Sequence, residues 1–346
     1  MLLQLTQILS EQQVCHISQP LYDWRATENS IAYQGGAKPW LSKVAQSTIV
    51  AHLKSFGLKE ASVIPNQQGP GFVCQWQSSW EPIEVIIPTH TNINGLKTCL
   101  AGLLQLTDYL KLTITIVGNR CSSEVNEFLN TLQSQVQIRI VFDDSEFNWA
   151  RLNNRIAKES KAPFLLFLND DVEIKNAYWL RDLRRYLDLF GVGAVGATLF
   201  YPNGELQHNG IYTDFLKIAT NITEWGKMDE LRVTRNVSAV TGACLLTKQK
   251  VWEQVGGFEE RLAVSYNDVD FCLALRAQNL RIVQATDVEL IHHEHATYGT
   301  IDNIKKQTKW QQEAQLMRDK WSEHLKELYF PHYEVLIQQT RILHVP

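Results

Sequence analysis

The chain has no paired-cysteine spacing, no glycine-rich phosphate loop, no large excess of either charge and no long apolar run. Its six cysteines (Cys15, Cys74, Cys99, Cys121, Cys244 and Cys272) are scattered, without a C-x-x-C pair. That argues against a disulfide framework or a zinc site and for reduced thiols in a cytoplasmic protein. A net charge of −4 over 346 residues gives no electrostatic grip on nucleic acid. No apolar run approaches the ~20 residues needed to span a bilayer, so membrane attachment could only be peripheral, at the inner face, or through a partner. The opening Met1-Leu2-Leu3-Gln4-Leu5 lacks a basic leader and a long apolar core, so no signal peptide is expected. Neither G-x-G-x-x-G nor G-x-x-x-x-G-K-[ST] occurs, so any phosphate must be neutralised by something other than such a turn. There is no internal repeat and no low-complexity tract.

What is present centres on Phe164-Leu165-Leu166-Phe167-Leu168-Asn169-Asp170-Asp171. A short unbroken apolar run predicts a strand buried on both faces, as in a parallel sheet. Two adjacent carboxylates at its end fall in the crevice beyond the carboxyl edge of the sheet. Held together they repel, and hard oxygen ligands suit Mg²⁺ or Mn²⁺. The same three residues are also ordinary turn and capping chemistry.

The surrounding pattern is alternating. Strands are expected at Ile83–Ile87, Leu112–Val117, Val136–Phe142 and Phe164–Leu168, with helices through Leu96–Leu104, Val125–Leu132 and from Phe147 to about Ser160. Such βαβ units predict right-handed crossovers and a parallel sheet, with the loops that follow the strands on one edge. Further on, Val192–Phe200, Val237–Leu246 and Arg281–Gln284 read as strands, with Gly242 in the middle of the second, where a ligand or backbone approaches closely. Val251–Val255 and the stretch after Asn267 read as helices. Lys305 to Leu328 reads as an amphipathic helix with Trp310, Leu316, Trp321 and Leu325 on one face. Residues 1 to about 80 carry helical spacings and aromatics (Tyr22, Trp24, Trp76, Trp80) but no cluster of His, Asp or Glu.

Three groups carry candidate chemistry. Asp268 and Asp270 stand at a helix start, where a carboxylate either caps or serves as a general base. His292-His293-Glu294-His295 is dense in ligands; His292 and His293 point opposite ways in extended chain, so one of the two is expected to ligate. Thr89, His90 and Thr91 follow the first strand, where backbone and hydroxyls can meet a base or ribose.

Taken in order, eight segments resemble an inverting family 2 glycosyltransferase with a GT-A fold. They are Val85-Ile86-Ile87-Pro88-Thr89; Phe147-Asn148-Trp149 through Asn154; Phe167-Leu168-Asn169-Asp170-Asp171 at the DXD position; Leu206-Gln207-His208-Asn209-Gly210; Thr241-Gly242-Ala243-Cys244; Gly256-Gly257-Phe258-Glu259-Glu260-Arg261; Asn267-Asp268-Val269-Asp270-Phe271; and His292-His293. They span about residues 82–300. The subgroup resembled builds bacterial surface polysaccharides and includes rhamnosyltransferase-like proteins. His16 to Ala32 also resembles a tail that precedes such domains in longer, multi-domain transferases.

The resemblance implies a fold and roles. The fold is α/β: a Rossmann-like nucleotide-binding half with a mixed, mainly parallel sheet, plus an N-terminal helical annex and a C-terminal helix. The implied division is an annex or linker over 1–80, a transferase domain over 81–300 and a helical extension over 301–346. Pro88, Thr89 and Thr91 would line the base pocket, with Arg151 and Asn154 at a helix start near the nucleotide. Asp171 would bind Mn²⁺ or Mg²⁺ with His292, and Asp170 would lie near the ribose or behind the metal. Asp268 matches the catalytic base; Asp270, Gly242 and His293 would stand by the acceptor or behind the reacting groups. Two positions depart from the pattern: Gly118, with Asn119 beside it, replaces the usual base-holding acid, and Asn169 replaces the first DXD acid. The implied reaction moves a sugar from a UDP- or dTDP-sugar to a saccharide or lipid-linked saccharide acceptor. The alternatives are a non-catalytic nucleotide-sugar binding module, which Asp268 argues against, and a metal-dependent phosphoester hydrolase, which would want more acids at the sheet edge.

Overall fold

The computed structural model describes residues 2–9, 13–15, 40–67, 71–224, 232–293 and 304–325. Tyr22, Trp24, the whole His16–Ala32 segment, Glu294 and His295 lie outside them. The chain divides into two compact units, one within Met1–Gln77 and one within Ser78–Tyr329. The first holds helices α1 (Leu2–Ile8) and α2 (Trp40–Ser55) and an antiparallel hairpin of β1 (Ser62–Pro65) and β2 (Phe72–Gln75). The helical annex expected there therefore carries a two-stranded sheet as well.

The second unit opens as predicted with alternating elements: β3 (Ile83–Thr89), α3 (Ile93–Ala101), β4 (Leu112–Asn119), α4 (Ser123–Leu132), β5 (Ile138–Asp143), α5 (Trp149–Glu159) and β6 (Phe164–Leu168). Local chemistry sets the helix starts. Side chains of Asn92, Ser122 and Asn148 accept from the N–H groups of Gly95, Val125 and Arg151, satisfying donors that a first helical turn leaves open. All five residues of β6 are buried.

The chain continues with β7 (Val172–Ile174), α6 (Trp179–Arg185), β8 (Val192–Phe200), β9 (Leu206–His208), β10 (Ile211–Asp214), β11 (Ile218–Asn221), β12 (Arg235–Val237), β13 (Cys244–Lys248), α7 (Gln249–Gln254), α8 (Asn267–Ala277), β14 (Arg281–His292) and α9 (Ile304–Trp321). The main sheet runs β12-β14-β8-β13-β6-β3-β4-β5, with β7 on β14 and β9 on β8. β3, β4, β5 and β6 pair in parallel, as do β8 and β14, while β13 is antiparallel to both its neighbours. The chain steps outward from β3 to β4 to β5 and then returns to the other flank of β3 as β6. That reversal makes the topological switch point where open α/β sheets bind ligands, and it sets Thr89 beside Asn169–Asp171.

Two strands differ from their sequence reading. The run Val237–Leu246 is broken: β12 ends at Val237, β13 begins at Cys244, and Gly242 lies in the turn between them. Its N–H is taken by a side chain instead of a sheet partner, which the apolar run could not announce. The strand read as Arg281–Gln284 extends to His292, with a register shift between Ala285 and Glu289 that carries it past the polar residues. His292 therefore ends a strand.

Helix α9 belongs to the second unit's core. Ala314, Met317, Trp321 and Leu325 join the same apolar cluster as Val269, Phe271 and Phe258. Buried Glu313 accepts from three consecutive backbone N–H groups, those of Ala263, Val264 and Ser265, just ahead of α8. Among the described residues no helix is long and apolar enough to cross a membrane.

Glu313→Ala leaves those three donors without their acceptor. We expect a loss of about 1–3 kcal/mol, the cost of orphaning buried donors, read from urea denaturation. An unchanged midpoint would show that solvent satisfies the loop instead.

Candidate active site

The carboxyl end of β6 delivers Asp170 and Asp171, both almost fully buried. The Thr89 hydroxyl, at the end of β3, donates to Asp170 Oδ2 at 2.6 Å across the switch point. Burial pushes the Asp170 carboxyl up to about 7; the hydrogen bonds from Thr89 and Asn92 oppose that rise, and the neighbouring Asp171 charge adds to it. Asp170 thus resists ionising, chiefly because it is buried.

Asp171 faces His292. Pairing of β14 with β7 sets His292 opposite Val172, and the His293 N–H bonds the Asp171 carbonyl at 3.0 Å. His292 Nε2 comes to 3.0 Å from Asp171 Oδ1. On the other side of the ring, Nδ1 lies 2.7 Å from Gln207 Oε1, and the Asn169 amide nitrogen is 3.3 Å from Nε2. Gln207 Oε1 can only accept, so the Nδ1 of a neutral ring carries the hydrogen and Nε2 presents a lone pair. Asp171 Oδ1 is buried and has no hydrogen-bond donor. Two acceptors directed at one another within 3.0 Å form a pair that a cation would complete. Among the described residues no third His, Cys, Asp or Glu closes a full shell, so the pair suits an ion that takes its other ligands from elsewhere. His293 lies on the opposite side of the chain, its Nε2 2.9 Å from Glu173 Oε2.

Asp268 sits one residue inside α8. The cap position is Tyr266, in the left-handed region at φ 61° and without a capping side-chain bond. Asp268 Oδ2 accepts from the Gly242 N–H at 2.7 Å and Oδ1 from the Val269 N–H at 2.8 Å. Burial raises its carboxyl above the ordinary range, and these backbone bonds oppose the rise. The residue remains partly open to solvent. Asp270 points away from this centre. Its Oδ1 takes both Trp321 Nε1 and Lys320 Nζ at 2.7 Å, holding α9.

One turn joins the two centres. Gly242 holds Asp268, and the next carbonyl, Ala243, accepts the Asn169 N–H at 3.0 Å. His208, buried and held neutral with its value lowered to about 4 by burial, supports this turn from behind; its Nε2 accepts from the N–H groups of Thr241 and Gly210. Trp149 packs on Gly242: a Cβ there would lie 3.0 Å from the indole and 3.5 Å from Asp268 Cβ. The Trp149, Phe167 and Phe258 rings meet edge-on or tilted beneath, with centroids 4.7–6.2 Å apart.

The residues expected around a nucleotide divide into two groups. Pro88 and Thr91 flank Thr89 at the end of β3, half-buried and exposed. Asn119 is buried, and its amide donates to the carbonyls of Asp143 and Ser145, tying the end of β4 to the loop after β5. Arg151 is held in that same loop by the Ser145 hydroxyl and the Glu146 carbonyl. Asn154 exchanges two hydrogen bonds with the Phe258 backbone, at 2.8 and 2.9 Å, so both ends of its amide go to the glycine loop. The sequence reading gave no role to Trp149, Gln207, His208 or Glu313. Their importance comes from partners far along the chain, and no local spacing signals it.

Residues 84–256 match the profile of Glycosyl transferase family 2. The O-antigen biosynthesis protein RfbC of Myxococcus xanthus is 31% identical over 300 residues, covering 82% of this chain and 23% of RfbC. The low-salt glycan biosynthesis hexosyltransferase Agl10 of Haloferax volcanii is 32% identical, covering 63% of this chain and 69% of its own. The chain spans 37% and 23% of the two curated relatives matched over most of its length. Among solved structures, the mannosyltransferase PcManGT of Pyrobaculum calidifontis, in complex with GDP-Man and Mn²⁺, superposes with a TM-score of 0.53 at 16% identity, covering 89% of this chain and 80% of that one. At that identity the likeness concerns the fold, which is GT-A. The family match ends before Asp268 and His292.

Gly242→Ala forces a methyl group between the Trp149 indole and Asp268. Overpacking of this kind costs about 1–3 kcal/mol, and we expect that loss in thermal unfolding together with altered tryptophan fluorescence. A variant with wild-type stability and emission would show that the indole can give way freely.

Proposed function

Because the chain belongs to glycosyl transferase family 2 and is a glycosyltransferase, we propose that it moves a sugar with inversion from a nucleoside diphosphate donor to a saccharide acceptor in surface-polysaccharide synthesis. The observation that carries this reading is the pairing of two centres on one turn: the Asp171–His292 pair that wants a cation, and the partly open carboxylate of Asp268. Crystallisation of PcManGT with GDP-Man and Mn²⁺ supports a nucleotide sugar and a divalent ion for this fold.

On this reading the donor lies along the carboxyl edge of β3, β4 and β6. Pro88, Thr89 and Thr91 border the base and ribose, with Asp170 near the ribose. Asn119 and Arg151 shape this side by bracing the loop after β5. Asp171 and His292 would hold Mn²⁺ or Mg²⁺, which supplies positive charge to the diphosphate as it leaves. Asp268 takes the proton of the acceptor hydroxyl. The acceptor oxygen forms its bond to the anomeric carbon as the bond from that carbon to the diphosphate oxygen breaks. One displacement inverts the centre, and the nucleoside diphosphate departs with the bonding pair. The Gly242 and Val269 N–H bonds aim the Asp268 carboxylate and leave each oxygen a further lone pair. Its burial suits a base, because a carboxylate above its usual range accepts a proton more readily. Free cysteines throughout the chain fit work in the reducing cytoplasm, where the inner membrane face would offer a lipid-linked acceptor.

Calorimetry of UDP, dTDP and GDP with Mn²⁺ and with chelator tests the donor side. Binding by at least one nucleotide is expected only with the ion, and Asp171→Ala should lose it; equal affinity in chelator would sink the reading. Asp268→Asn should keep that binding and lose about 10²–10⁴-fold in transfer. Near-wild-type turnover by a folded Asp268→Asn protein would remove Asp268 as the base.

The pH profile gives a separate check. Protonated Asp268 cannot accept, and its folded value is raised above 3.8. The acid limb of kcat should therefore lie above pH 3.8, with rate falling as pH drops through it. A limb at or below that value would contradict the burial argument.

A further inference from the structure

The segment Leu206-Gln207-His208 is a three-residue strand beside β8, paired Leu199 to His208 and Phe200 to Leu206, with a register shift between the two pairs. The shift sets Gln207 between the two pairs. Such a bulge re-aims a side chain, and here both ends of the Gln207 amide reach one residue. Oε1 lies 2.7 Å from His292 Nδ1, and Nε2 donates to the His292 carbonyl at 3.2 Å. Gln207 is 5% exposed and His292 8%.

We infer that Gln207 is a positioning residue: its two bonds to His292 select the Nδ1–H form of the neutral ring, which turns the Nε2 lone pair towards Asp171. The amide has no freedom to reverse. Turning it would set its carbonyl oxygen against the His292 carbonyl and its NH₂ against Nδ1–H. The other neutral form of the ring would put two acceptors, Nδ1 and Oε1, 2.7 Å apart. Asn169 adds agreement from the far side, its amide nitrogen lying 3.3 Å from Nε2 in donor position. A cation arriving at the pair then meets a ready lone pair and a buried carboxylate oxygen, with no proton to displace from Nε2. Outer partners of this kind fix the ring and commonly change metal affinity 10–100-fold. Gln207 lies 85 residues from His292 in sequence, in a segment no electrostatic pattern marks.

The inference rests on the reading of Asp171 and His292 as cation ligands, and the experiment separates the two. In metal-free protein, long-range ¹H–¹⁵N spectra of the histidines report the His292 ring directly. Wild type should show Nδ1–H; Gln207→Met, similar in size but without hydrogen-bonding atoms, should lose that preference. Free Mn²⁺ measured by electron paramagnetic resonance, titrated with protein in the presence of UDP, should show weaker binding by about 10–100-fold in Gln207→Met. The same change made on His292→Ala should add nothing, because its effect passes through the ring. Gln207→Glu retains an acceptor for Nδ1–H, gives up the bond to the His292 carbonyl, and should keep the Nδ1–H ring form, which also covers the case in which Gln207→Met does not fold. An Nδ1–H ring in Gln207→Met, an equal loss of affinity on the His292→Ala background, or loss of the Nδ1–H ring form in Gln207→Glu would each overturn the inference. If His292→Ala alone leaves Mn²⁺ affinity intact, the cation reading fails while the ring assignment stands or falls on its spectrum.

Discussion

Two carboxylates buried side by side, met by a hydroxyl and an imidazole, are the constraint around which this unit is arranged. Asp170 and Asp171 are 4% and 6% exposed at the end of a strand from which water is excluded. Each needs its own remedy. Asp170 takes a hydroxyl bond from Thr89, at the end of the neighbouring parallel strand. Asp171 faces the Nε2 edge of His292, brought by a strand that arrives more than a hundred residues later, and on the proposed reading a cation completes that pair. The sheet order explains how both remedies reach the same place. The return from β5 to the far flank of β3 sets Thr89 beside Asp170, and β14 brings His292 in by pairing with β7.

The second half of the unit works as a set of braces on this edge. Asn154 and Asn148 fasten the start of α5 to the 258–260 segment, His208 supports the Thr241–Gly242 turn, and Glu313 gathers the backbone ahead of α8. Asp268 is thereby held from two directions, by the turn it bonds and by the loop that leads into its helix. The left-handed Tyr266, unusual for a bulky residue, persists because its surroundings fix the chain on both sides.

Much of this was legible in the sequence where the cause is local. Five apolar residues in a row announced β6, and the segment from Phe147 announced α5. Opposed directions for His292 and His293 followed from strand geometry, and the two rings do face different partners. The order of eight short segments indicated the GT-A family, which the profile match and the fold bear out. What could not be read depends on distant partners. The break between β12 and β13 contains Gly242, whose N–H goes to a carboxylate 26 residues on. Asn154 looked available for a ligand but is occupied by a loop 104 residues away. Asp270, which by spacing alone stands with Asp268 at a helix start, is claimed by α9.

The Glu313 clamp has a consequence in time. The Ala263 backbone waits for an acceptor 50 residues further along the chain. As the polypeptide leaves the ribosome, the parallel half of the sheet can close while the approach to Asp268 still has unanswered donors. The Asp171–His292 pair and the carboxyl edge of β3 and β6 can therefore form in a nascent chain whose Asp268 is not yet held from both sides. Only when α9 emerges does the loop gain its acceptor, so the mooring of Asp268 would be the last part of this edge to form.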